Sequence, residues 1–336
     1  MKPTMLFIIG APRSGTTMLE RMLSAHSMIQ GGPEPHLLTP LAHLGVWNKV
    51  DKAPYDHVLA AESQKLFVSK LPHGEQDYWE ACRAYCDVLY GRYMEGHSAT
   101  LCLDKTPAYG LILPFLRKVF PDARYVVLTR HPLATLSSFA NSFFDGDYAA
   151  AHAYNPILNR YVPAMADFLR QTEVPFHHVR YEDLVAQPEQ HMQAICDNLG
   201  IPFEADAVNY GDKAASTPKE GLGDPLGVQQ HTRPSTASVD KWVAELAHDE
   251  GKRTMAIERI NELDPDDLTT LGYPPGELWT PLETAGDVSP PKPPKWSRYR
   301  LQRKVIVNLR HQVQHHTWLR GLVAKLRLVC DVLLRD

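Results

Sequence analysis

Near the start of the chain, Phe7-Ile8-Ile9-Gly10-Ala11-Pro12-Arg13-Ser14-Gly15-Thr16-Thr17 joins an apolar run to a glycine-punctuated loop and then to a helical pattern. A short apolar run closed by glycine reads as a buried strand, and Met18, Leu19, Met22 and Leu23 follow it at helical spacing. Strand, tight loop and helix in that order aim several backbone N–H groups and the positive end of the helix at one point, which is how a phosphate is held. Gly10 and Gly15 have the Gly-x-x-x-x-Gly frame of a Walker A loop, but Thr16 stands where the nucleotide-binding lysine belongs, and Arg13 supplies the positive charge. A bare glycine frame is also compatible with a plain turn capped by Ser14. The arginine, serine and paired threonines favour an anion site.

Four apolar runs are expected as strands, each followed by a turn and a helix: Leu6 to Ile9, Thr100 to Leu103, Arg124 to Leu128 and His177 to Arg180. The pattern predicts an α/β fold with a P-loop-like, mostly parallel sheet flanked by helices. Helices are expected from Gly15, Pro107, Pro132 and Pro188, because proline suits a first helical turn, and Gly200 should stop the last of them. Residues 31–99, broken by Pro33, Pro35, Pro40, Pro54 and Pro72, read as an insertion over the carboxyl edge of the sheet, where open α/β folds bind ligands. Residues 141–165 read as a second helical cover. The domain is expected to fill residues 1–280, with a stiff Pro-rich linker over 281–296 and a helical C-terminal extension over 297–336.

The net charge of −4 conceals an asymmetry: Ser289 to Asp336 carry 11 Lys plus Arg against 2 acids, a net +9, and leave −13 on the remainder. With Leu319, Leu322, Val323, Leu326 and Leu333 set among Arg320, Lys325 and Arg327, the tail reads as a basic amphipathic helix. It would lie peripherally on an anionic membrane, pack on the acidic body, or self-associate. His311, His315 and His316 lack an acidic or cysteine partner and read as surface residues. Five cysteines without a Cys-x-x-Cys pair suggest neither a disulfide framework nor a zinc site, and Met5 to Ala11 is too short for a membrane span. A cytoplasmic protein is therefore expected, without a bound metal and without a nucleic-acid partner.

The second chemical signal is Arg124-Tyr125-Val126-Val127-Leu128-Thr129-Arg130-His131-Pro132, followed by Ser137 and Ser138. Arg130 closes a strand, and Ser138 lies about two helical turns further on, so both can reach one phosphate. Together with Asp104-Lys105-Thr106-Pro107, Arg180-Tyr181-Glu182-Asp183-Leu184 and Lys241-Trp242, the two loops resemble those of the sulfotransferase family, over most of residues 5–275. The chain is similar to the bacterial and tyrosylprotein-type branch. The resemblance implies a nucleotide co-substrate, 3'-phosphoadenosine 5'-phosphosulfate (PAPS), with its product the 3',5'-bisphosphate (PAP). It implies that Arg13, Ser14, Gly15, Thr16 and Thr17 cradle the 5' end, that Arg130 and Ser138 hold the 3'-phosphate, and that Tyr181 and Lys241 border the nucleotide.

Sulfuryl transfer requires the acceptor and leaving oxygens in line, positive charge at the leaving phosphate and a base for the acceptor hydroxyl. Arg13 and Lys105 are expected to supply the charge. Glu34, in Gly31-Gly32-Pro33-Glu34-Pro35-His36, sits at the distance from the first helix where the tyrosylprotein branch carries its catalytic glutamate, although its neighbours differ. It is the expected base, and His36 is its competitor. Two other functions remain compatible with these residues. Leu101-Cys102-Leu103-Asp104 could pass for the strand and aspartate that hold magnesium in an ATP-dependent kinase. A non-catalytic nucleotide-binding module would need neither Lys105 nor Glu34. The acceptor is expected to be a hydroxyl of a peptide tyrosine, a lipid, a sugar or a small phenol.

Overall fold

The computed structural model describes residues 3–32, 34–44, 57–171, 173–211 and 232–286, together with short helical pieces between 312 and 326. Among the described residues five strands are interspersed with helices: β1 Thr4–Ile9, α1 Thr16–Ser24, β2 Ile29–Gln30, α2 Leu38–Ala42, α3 His57–Val68, α4 Glu75–Tyr93 and β3 Leu101–Asp104. A 3-10 segment, Pro107–Leu111, precedes α5 Leu113–Val119, β4 Arg124–Thr129, α6 Pro132–Phe143, α7 Tyr148–Tyr154, α8 Ile157–Arg170 and β5 Phe176–Arg180. Then come α9 Tyr181–Ala186, α10 Pro188–Leu199, α11 Lys241–His248, α12 Glu250–Asn261, α13 Pro265–Thr270 and α14 Thr280–Glu283.

All four expected strands are present, and the two-residue β2, too short to leave a periodic signal, adds the fifth. The sheet order is β2-β3-β1-β4-β5, with every pairing parallel. Since β1 pairs with β3 on one side and β4 on the other, the chain reverses its winding direction at β1, and a crevice opens beyond the carboxyl ends of these three strands. The loops after β1, β3 and β4 all empty into it.

The strands are apolar throughout because the sheet is covered on both faces. Met5, Phe7, Ile9, Cys102, Tyr125 and Val127 face one core, packed by residues of α4, α5, α6 and α8. Leu6, Ile8, Leu101, Leu103, Val126 and Leu128 face the other, closed by α1, α9 and α10. The expected boundaries shift in three places. The helix from Pro107 divides into the 3-10 segment and α5, with Ile112 in a non-helical conformation between them. Residues 31–99 do not all lie over the carboxyl edge: Trp79, Cys82, Cys86 and Tyr90 of α4 pack into the sheet face beside Phe115 and Phe120. The Pro-rich linker starts later than residue 281, because Pro281 opens α14 and Leu282 and Ala285 still pack on the core. Residues 287–310 and most of the expected tail helix lie outside the described residues.

Candidate active site

The loop after β1 is built around positions where a side chain has no room. A Cβ on Gly10 would lie 2.5 Å from Thr16 Cγ2 and 2.9 Å from the Leu128 carbonyl oxygen. Arg13 has φ +69° and Gly15 φ +98°, so the turn reverses twice before α1 begins, and a Cβ on Gly15 would lie 2.5 Å from the Tyr181 ring. Gly15 is the N-cap of α1 and no side chain caps it, so the first N–H groups of the helix have no intrahelical partner. Ser14, only 1% exposed, does not cap the turn: its hydroxyl has no hydrogen-bond partner among the described residues. A buried hydroxyl without a partner costs about 1–3 kcal/mol. An anion seated in the loop would remove that cost.

Lys105, one residue beyond β3, is 3% exposed, and its ammonium donates to Thr17 Oγ1 at 3.2 Å and to the Glu34 carboxylate. One lysine thus ties the first loop to the Glu34 loop. Glu34 is also 3.5 Å from His36 Nε2, but the histidine side chain is 46% exposed against 18% for Glu34. The glutamate faces the crevice cation, and the histidine stands on its solvent side.

At the carboxyl end of β4, Arg130 donates to the Arg13 carbonyl at 2.9 Å and to the Ser238 carbonyl at 2.6 Å, and its guanidinium lies 4.5 Å from the centroid of the Tyr181 ring. Its Nε has no partner among the described residues. Burial pulls the pKa of this guanidinium down, which marks a cation short of solvation. Its hydrogen-bond acceptors are neutral carbonyls, so a phosphate would supply the countercharge. Arg13 Nε donates to Ser138 Oγ at 3.4 Å, and Lys241 Nζ donates to Ser238 Oγ at 3.0 Å. Glu34, Lys105, Thr17, Thr16, Gly15, Ser14, Arg13, Ser138, Arg130 and Tyr181 therefore form one continuous chain of contacts around the crevice, to which Ser238 joins Lys241. The orphaned Ser14 hydroxyl, the orphaned Arg130 Nε and the side-chain-free cradle fit a ligand with two phosphate-like groups.

Asp104 is placed where a kinase would not want it. It is 1% exposed, and its carboxylate accepts from Tyr90 at 2.5 Å, Tyr109 at 2.9 Å and Thr106 at 3.3 Å, pointing into the core and away from any metal position in the crevice. Burial pushes its pKa up to about 6. Two participants escaped the sequence reading. Ser238, a small polar residue in a loop, carries no signal of its own. Glu20 sits on the buried side of α1 with its pKa raised by burial, and Lys105 is the main charge that opposes the rise. An acid one residue past the apolar pair Met18 and Leu19 was the available clue.

A model of the sulfotransferase family matches residues 3–205. The chain belongs to the sulfotransferase family. Nodulation protein NoeE of Sinorhizobium fredii is 28% identical over 296 residues, 81% of this chain and 66% of that protein. Protein-tyrosine sulfotransferase 1 of Danio rerio is 25% identical over 280 residues, 81% of this chain and 72% of that protein. Among solved structures, the sulfotransferase domain of a Synechococcus olefin synthase is 28% identical, with a TM-score of 0.49 over 72% of this chain and 88% of that one. This sulfotransferase thus spans about two thirds of the curated relatives named here.

Proposed function

We propose that the protein moves a sulfuryl group from PAPS to an acceptor hydroxyl, with Glu34 as the base. The observation that carries this reading is Lys105, which bridges Glu34 to Thr17 in the first turn of α1, directly after the Arg13 loop. The first loop and Arg13 take the 5'-phosphosulfate, and Arg130 with Ser138 takes the 3'-phosphate. As the acceptor oxygen approaches the sulfur in line, the bond to the leaving phosphate breaks and negative charge builds on that phosphate, where Arg13 and Lys105 stand. Glu34 accepts the proton that the acceptor oxygen loses. Donor binding gives Lys105, which already faces the Glu34 carboxylate, a second anion to face. The neighbouring protein-tyrosine sulfotransferases make a tyrosyl hydroxyl the first acceptor to try. We also assign the protein to the cytoplasm, with its basic tail resting on an anionic lipid surface.

Calorimetry tests the donor assignment. PAP should bind without magnesium, and Arg130→Ala should weaken PAP by at least about tenfold more than adenosine 5'-phosphate, which offers no 3'-phosphate to the lost guanidinium. Preference for ATP with magnesium, or equal losses for both ligands, would overturn it.

A further inference from the structure

The Glu34 loop runs from β2 to α2 without regular structure, yet a tyrosine hydroxyl holds each end. At the upstream end, Tyr93 Oη donates to the Gly31 carbonyl at 2.8 Å and accepts from Gln30 Nε2 at 3.1 Å. At the downstream end, the Leu38 N–H donates to Tyr109 Oη at 3.2 Å. Leu38 is fully buried at the start of α2, where a helix leaves its N–H without a partner of its own, so this hydroxyl closes a bond that nothing within the helix can make.

Tyr109 is itself fixed. Its hydroxyl donates to Asp104 Oδ2, the oxygen that also accepts from Tyr90, while Thr106 Oγ1 donates to Oδ1. Tyr90 and Tyr93 lie three residues apart on α4, so the same helix supplies the upstream clasp and braces the downstream one. Asp104 is the residue before Lys105, whose ammonium reaches Glu34 and Thr17. The base-bearing loop and the lysine it faces therefore share one anchor at the end of β3.

A core position filled only for stability would be served by phenylalanine, as Phe7 is beside it, and a buried carboxylate with three hydroxyl donors is a costly way to fill space. What the network adds is direction. We propose that Tyr109, gripped by Asp104, is a positioning residue that holds the Glu34 loop in register with Lys105. The proposal rests on the reading of Glu34 as the base.

Tyr109→Phe removes the hydroxyl and keeps the ring. Hydrogen exchange over residues 34–42 should rise by about tenfold or more, since the Leu38 bond is lost. PAP affinity should stay within about twofold, and turnover with 2-naphthol as the probe acceptor should fall by about 10- to 100-fold at unchanged KM for PAPS, the penalty of a misplaced reacting group. Tyr125→Phe is the comparison, because Tyr125 is equally buried but its hydroxyl donates to the Phe120 carbonyl, away from the loop. It should lower stability without changing exchange over 34–42 or the turnover. If Tyr109→Phe behaves like Tyr125→Phe, the proposal is overturned. Absence of sulfuryl transfer in the unaltered protein would sink the reading of Glu34 instead, and exchange would still judge the clasp.

Discussion

At the scale of single residues, the crevice is lined by polar groups drawn from three strand ends. Arg130 rests on two carbonyls and an aromatic face, Ser14 has no partner among the described residues, and Lys105 divides its donors between Glu34 and Thr17. Glu34 and His36 are the two candidates for the base, and their surroundings differ: the carboxylate meets the buried lysine, whereas the imidazole is half in solvent. Glu34→Gln should preserve PAP affinity and lower turnover by about 10²- to 10⁴-fold with an acceptor of high pKa, the usual contribution of a positioned base. His36→Gln should cost much less. Steady-state kinetics of the two variants decide the assignment, and near-normal turnover in Glu34→Gln with a severe defect in His36→Gln would transfer the role to the histidine.

At the scale of elements, the end of β3 sends two neighbouring charged side chains in opposite directions. Lys105 points to the crevice, while Asp104 binds Tyr90 of α4 and Tyr109 of the following 3-10 segment. The Asp104 pKa, raised by burial to about 6 from an ordinary 3.8, fixes the sign of a pH effect. The folded state holds this proton more tightly than the unfolded chain, so the contribution is fully present below about pH 4 and is lost as the pH rises through about 6. The displacement corresponds to roughly 3 kcal/mol. Asp104→Asn keeps an oxygen for the two tyrosines and an amide N–H for Thr106, and it has no proton to lose. Relative to the unaltered protein, the variant should gain stability between pH 4 and 7, by up to that amount. Urea unfolding at both pH values measures the gain, and a constant difference would contradict the assignment. The same elements show what a short sequence conceals: β2 has two residues, and the Pro107 helix breaks at Ile112, features set by neighbours rather than by periodicity.

At the scale of the whole molecule, every residue assigned to the site lies before residue 287, and the basic tail lies beyond it. Trp318, Leu322, Val323 and Leu326 are exposed there, at spacings that put them along one side of a helix. Ending the chain after Gly286 should therefore leave PAP affinity within about twofold while abolishing co-flotation with phosphatidylglycerol vesicles at low salt. Retained flotation, or flotation of the full chain with neutral vesicles alone, would reject the lipid assignment. The sequence by itself determined the α/β order and the loops after β1, β3 and β4 that carry Arg13, Lys105 and Arg130, because buried strands, glycine-cradled turns and helix starts are local patterns of a few residues. Only the tertiary structure decided that Glu34 meets Lys105, that Arg130 leans on Ser238, and that Asp104 turns inward to two tyrosines instead of outward to a metal. Those contacts join residues that are far apart in the chain, and their partners are chosen by packing and by the need of buried charges for company, which no local pattern records.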